Sequence, residues 1–243
     1  MCTASSRRFA GSRAITWWRS TSPGALLPWN PQAERRPLSV SISPSGTVFV
    51  NFDLGPMQIG GQMRSSPVEL DTNGVVTAWT PAVAGSIGDA LLNGEMLFGR
   101  EALTGLIPRT SIAGFELATG GLSSIAPVLG GQAPGVDRIV TDGQRVFFSG
   151  PFTTVNGQPR NGVAAIDGTT GALLDWPAPG VRFYVDAVEA PWVYGNNGSV
   201  LRRVSASTGV VDPTWTPTFY ASVFAAGSEL WVSLGLGIPP GGP

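Results

Sequence analysis

Residues Val136–Gly180 read VDRIVTDGQRVFFSGPFTTVNGQPRNGVAAIDGTTGALLDWPAPG, and this stretch decides the fold. An apolar alternation meets an Asp142-Gly143 turn, and a second apolar run follows. A loop rich in Gly, Pro and Asn leads to a third run, Val163-Ala164-Ala165-Ile166-Asp167. A turn at Gly171 then opens a last short segment ending at Trp176-Pro177. Four short strands separated by turns are the makeup of one β-propeller blade.

The same skeleton recurs along the chain. An Arg precedes by seven residues an acidic or hydroxyl residue, and a turn glycine follows three or four residues later. The copies are Arg13, Ser20 and Gly24; Arg64, Asp71 and Gly74; Arg109, Glu116 and Gly120; and Arg160, Asp167 and Gly171. A fifth copy keeps only Ser205 and Gly209. Shortly after each glycine comes Trp with Pro: Trp29 and Pro31, Trp79 and Pro81, Trp176 and Pro177, Trp215 and Pro217, with Ala126-Pro127 in the third copy. A period of roughly forty to fifty residues suits four-stranded blades and is too long for leucine-rich or ankyrin units.

The run Phe147-Phe148-Ser149-Gly150-Pro151-Phe152-Thr153-Thr154-Val155-Asn156-Gly157-Gln158-Pro159-Arg160, continued through Asp167, Gly171 and Trp176, resembles the delta-sixty type β-propeller repeat of bacterial proteins. The resemblance is strong over 136–180, recognisable over 38–81, and weak over 86–127 and 181–217. It implies a propeller, often in secreted or surface-attached proteins, and brings no catalytic residues with it.

The expected fold is therefore an all-β propeller of about five blades. A frayed terminus (1–12) precedes one domain (13–243), with repeats at about 38–81, 86–127, 136–180 and 181–217. A composite last blade would draw on 218–243 and 13–31, so that residues 13–20 pair with 223–233. Such closure removes exposed sheet edges and implies a monomer.

Composition narrows the chemistry. The 243 residues include no His and no Lys, and all fifteen cationic side chains are Arg. That excludes Ser-His-Asp and Cys-His catalysis, His-ligated metal, lysine Schiff bases and a Walker lysine. Gly is high at 33 and Pro at 21, but eight Trp and eleven Phe argue for many turns rather than disorder. A net charge of −1 gives no basis for nucleic-acid binding. No apolar run is long enough to cross a membrane as a helix. Ser6-Arg7-Arg8-Phe9 would suit an export signal, but Arg13 interrupts the apolar stretch such a signal needs. The lone Cys2 has no internal disulfide partner. Glycine-bearing stretches at 55–61 and 114–121 lack the strand and helix that a phosphate loop requires.

The recurring residues have structural explanations. The acidic residue before each turn accepts backbone N–H bonds. The Arg bonds backbone carbonyls or a neighbouring blade. The Trp fills the seam between blades, with its large apolar area and single donor.

Two functional classes remain. The leading expectation is a non-catalytic scaffold that presents loops to a protein, glycan or small ligand, without a cofactor or metal. The alternative is a propeller enzyme, such as a glycoside hydrolase, which needs only two carboxyl groups. Three acidic residues keep it open: Asp89, Asp137 and Asp186 fall near the start of the strand that would line the channel, where the other copies carry Ser39 and Ser222. Converging carboxylates would suit calcium or magnesium. In the simpler case each bonds the backbone of its own blade.

Overall fold

In a computed structural model of the chain, the described residues are 2–5, 16–20, 26–27, 30–52, 56–82, 87–100, 112–176, 183–197, 200–217, 221–226 and 229–234. Among them every regular element is a strand, so the all-β expectation holds. Among the described residues no helix is long and apolar enough to cross a membrane. The chain divides into two compact units, Met1–Ala126 and Pro127–Pro243.

In the first unit β1 (Cys2–Ser5), β2 (Thr16–Ser20) and β3 (Leu26–Leu27) form one antiparallel sheet with β2 at its centre. Part of the N-terminus expected to fray is thus a paired strand, Cys2 to Ser5 lying against Arg19 to Thr16. A second sheet combines β4 (Ser39–Ile42), β5 (Val48–Asn51) and, beyond an intervening hairpin β6 (Met57–Ile59) and β7 (Gln62–Arg64), β8 (Val68–Leu70). A third is the meander β9 (Gly88–Asn93), β10 (Met96–Arg100) and β11 (Ile112–Glu116).

The second unit repeats this plan. Strand β12 (Leu129–Gly130) precedes β13 (Arg138–Thr141) and β14 (Arg145–Ser149). The hairpin β15 (Thr154–Val155) and β16 (Gln158–Pro159) comes next, and β17 (Val163–Asp167) completes the sheet β13-β14-β17. Strands β18 (Tyr184–Glu189), β19 (Trp192–Asn196) and β20 (Leu201–Ser205) make the next sheet. The last described pair is β21 (Ala221–Ala226) with β22 (Glu229–Leu234). Pairing between residues 13–20 and 223–233 is not among the described pairings: β2 lies between β1 and β3, and β22 is joined to β21.

The expected fourth strand of each repeat is reduced to a single bridge. Leu70 meets Val76, Phe115 meets Leu122, Ile166 meets Leu173 and Val204 meets Val211. Only a few residues separate each turn glycine from the Trp or Pro that ends the segment, and proline cannot extend a ladder. The acidic turns form as expected. Asp71 Oδ1 accepts the N–H groups of Asn73 and Val75, and Asp167 Oδ1 those of Thr169 and Thr170. Backbone bonds of this kind, from Val75 and Thr170 foremost, hold both carboxyls below the usual aspartate value. Arg64 donates to Thr77 O at 3.1 Å and Arg160 to Leu174 O at 3.0 Å, tying inner hairpin to outer segment. Arg13, Arg109 and Trp29 lie outside the described residues.

Both faces of the central strands are buried. On β5, Val48 and Val50 join a core with Met57, Ile59 and Leu70, while Phe49 turns to the other side, into a core shared with Ile87 and Leu97 of the following sheet. The second unit does the same: Phe147, Ala165 and Trp176 share one core with Phe183, Val193 and Val204 of the next sheet. At each such seam an aromatic ring of the central strand meets the terminal Trp edge-on. Phe49 and Trp79 stand 5.1 Å apart at 81°, Phe147 and Trp176 5.1 Å at 68°, and Tyr194 and Trp215 5.5 Å at 75°. Trp176 also donates its indole N–H to Ser205 O, at the end of the neighbouring sheet, at 3.0 Å. Close approach of the chain entering each sheet's first strand demands glycine at two matching positions on the central strand. A Cβ on Gly99 would collide with Ile87, and one on Gly195 with Phe183 and the Tyr184 carbonyl.

Trp176 is 2 % exposed, whereas Trp215 is only half-buried. Trp176→Ala is therefore expected to cost about 3–5 kcal/mol of stability, and Trp215→Ala clearly less, measured by urea denaturation of each variant. Equal losses for the two would contradict the seam.

Candidate functional site

The central strands end in polar residues at one end of each sheet. Asn51 closes β5 opposite Ser39, Ser149 closes β14 opposite Arg138, and Asn196 closes β19 opposite Tyr184. All are buried at the end of an otherwise apolar strand. Their side chains stitch the structure together. Ser66 bridges Asn51 and the Phe52 N–H, and Ser149 Oγ accepts the Val185 N–H of the next sheet at 3.1 Å. Ser39 Oγ donates to Ala90 O at 3.5 Å.

One of these positions gathers charge. The pairing of β18 with β19 slips between Val185 and Ala187, leaving Asp186 as the extra residue of a bulge. Bulges re-aim side chains, and here the re-aimed carboxyl is buried, its side chain 1 % exposed. Asn196 Nδ2 donates to its Oδ2 at 2.7 Å. Arg138 Nη1, from β13, stands 2.7 Å from Oδ1. No N–H is well aimed at Oδ1, so that contact is one of charge rather than an aligned hydrogen bond. Burial pushes the Asp186 carboxyl above the ordinary aspartate value, against the opposing pull of the Asn196 amide and the Arg138 charge.

The three sequence candidates are placed differently. Asp186 joins Arg138 and Asn196. Asp137 immediately precedes Arg138, is exposed, and anchors its backbone N–H on Ser149 O at 2.7 Å. Asp89 also occupies a bulge, since Gly88 pairs with Arg100 and Ala90 with Gly99; its side chain lies outside the described residues, as does that of Ser222. Among the described residues no three Asp, Glu, Cys or His side chains gather as a metal site. Arg138 and Asn196 were absent from the sequence candidates. The signal available was a polar residue recurring at the end of each apolar central strand, as in Val48-Phe49-Val50-Asn51 and Val146-Phe147-Phe148-Ser149.

No family model matches the chain, and no curated protein does. Among solved structures, a gluconolactonase of Xanthomonas campestris, described as important in glucose secondary metabolic pathways, superposes with a TM-score of 0.52 at 14% identity. The match covers 92% of this chain and 80% of that one. At this identity the likeness concerns the fold. That this fold occurs as an enzyme corrects the expectation of a non-catalytic scaffold and favours the enzyme alternative. Lacking His and Lys removes triads and Schiff bases but leaves carboxyl chemistry intact.

A carboxyl whose pKa rises on folding contributes stability below its unfolded value, here near 3.8, and loses it as pH climbs through the folded value. The melting temperature of the wild type relative to Asp186→Asn should therefore fall as pH rises from about 4 towards neutrality. A difference independent of pH would show that the Asp186 carboxyl is unperturbed.

Proposed function

We propose that this chain is a five-bladed β-propeller enzyme of the delta-sixty type that hydrolyses small cyclic esters of the sugar-lactone class. The propeller reading is supported by the order of the sheets within each unit. The first strand of one packs beside the first strand of the next, β4 by β9, β13 by β18 and β18 by β21, and the aromatic seam recurs with them. The delta-sixty reading is supported by the loop after β14. Phe152 and Val155 are buried there, and the hairpin β15–β16 pairs with β12, just after Ala126-Pro127.

The observation that carries the enzymatic reading is a pair of carboxyls in opposite environments on two neighbouring sheets, one beside Arg138 in sequence and the other bound to it. Asp137 is open to solvent, and Asp186 is buried and fixed to Arg138. An exposed carboxyl next to a fixed guanidinium in sequence offers a proton-transfer group together with a cation held in place. Opening a lactone adds water across the ring C–O bond of the ester. The water oxygen bonds to the carbonyl carbon, the ring oxygen leaves, and the water's proton ends on that oxygen, giving a hydroxy acid. Asp137 takes the proton from the attacking water and returns it to the ring oxygen. Asp186 is a positioning residue that holds Arg138.

Proton release, followed as base consumed in a pH-stat, reads this reaction directly on a six-carbon aldonolactone. Asp137→Asn should lower kcat by about 10²–10⁴-fold while KM changes little. Wild-type kcat in that variant, or a wild-type rate no faster than spontaneous ring opening, would overturn the reading.

A further inference from the structure

Arg138 is held in place without being used up. Its side chain is 49 % exposed, yet one nitrogen is fixed 2.7 Å from a carboxylate that is itself 1 % exposed and clamped by Asn196. A guanidinium presents five donors in a rigid fork, and a single contact with Asp186 leaves the rest facing solvent.

The fork stands at an end shared by two neighbouring sheets. Residues Arg138, Ser149 and Val163 lie level at one end of their sheet, and Tyr184, Asn196 and Leu201 at the same end of the next. In the first sheet the chain rises at that end through residues 150–162 and the hairpin β15–β16. In the second, Asn197 Oδ1 accepts the Val200 N–H at 2.9 Å just beyond β19.

We infer that Arg138 is the ligand-binding residue of this site, and that it takes the carboxylate of a small polyhydroxy acid through its free N–H groups. Planar two-point recognition of a carboxylate is what a fixed guanidinium does better than an ammonium. The inference rests on the hydrolase reading for the identity of the acid, which is the open form of a sugar lactone. Asp186 and Asn196 position the fork rather than touch the ligand.

The test measures binding, so that it fails separately from turnover. The full chain is melted at pH 7 with a six-carbon aldonate and, in parallel, with the uncharged six-carbon alditol. The aldonate should raise the melting temperature with concentration, by mass action, and the alditol should not. Isothermal titration should show aldonate binding at least tenfold weaker in Arg138→Gln and several-fold weaker in Arg138→Lys, which keeps the charge but loses the fork. Arg36→Gln, at an exposed arginine elsewhere, should bind as the wild type does. If Arg138→Gln does not melt cooperatively, the lysine variant decides. Equal response to aldonate and alditol, or undiminished aldonate binding in Arg138→Lys, would overturn the inference. Lactone opening without aldonate binding would sink this inference alone, and aldonate binding without lactone opening would sink the hydrolase reading alone.

Discussion

The edge-on contact between a central-strand aromatic and the Trp that ends the same repeat is the constraint on which the described structure depends. A three-stranded sheet with a bridge for its fourth member cannot stand alone, since it buries apolar side chains on both faces. It needs a neighbour, and the Trp supplies the adhesive area. A Trp buries roughly 150–250 Å², and its ring geometry adds about 0.5–1.5 kcal/mol beyond that area. Trp176 completes the arrangement with its bond to Ser205 O. Trp79 has the same ring contact, with no acceptor for its indole N–H among the described residues. In the third copy Ala126 replaces the Trp, and the chain divides into its two compact units directly after it.

The candidate site follows from the same packing. Once Phe147 and Trp176 bring the β13 and β18 sheets together, the polar ends of their strands are brought together as well. Ser149 then reaches Val185, and Arg138 reaches Asp186. The bulge in β18 takes Asp186 out of the alternation that would otherwise alternate it cleanly with Val185 and Ala187, both of them core residues. Burying a carboxyl is costly unless it is paired, and here it is paired across a seam. The arrangement therefore couples the stability of that seam to the geometry of the charged group.

Much of this was legible in the sequence because turns and aromatics carry their own signatures. Asp71-Thr72-Asn73-Gly74 and Asp167-Gly168-Thr169-Thr170-Gly171 announce their turns through side-chain acceptors and positive-φ glycines, and the Trp residues announce the seam by their spacing. The copies that resemble the repeat least, 86–127 and 181–217, still form three strands and a bridge. Backbone pairing needs only apolar alternation, which survives loss of the inner loop. The site was half legible. Asp186 stood out by falling, with Asp89 and Asp137, near the start of a repeat's first strand, but the bulge that aims it is a matter of register. Register between strands does not follow from either strand alone. Arg138 was hidden for a related reason: its partner lies 48 positions away, in another sheet.

The central claim is that the aromatic pair, rather than general burial, holds sheet to sheet. It is tested most directly by a double-mutant cycle on Phe147 and Trp176, each replaced by Leu singly and together, with stability from urea denaturation. The account predicts a coupling energy of about 0.5–1.5 kcal/mol between the two positions. Additive losses, agreeing within about 0.3 kcal/mol, would contradict it and leave the seam to undirected apolar contact.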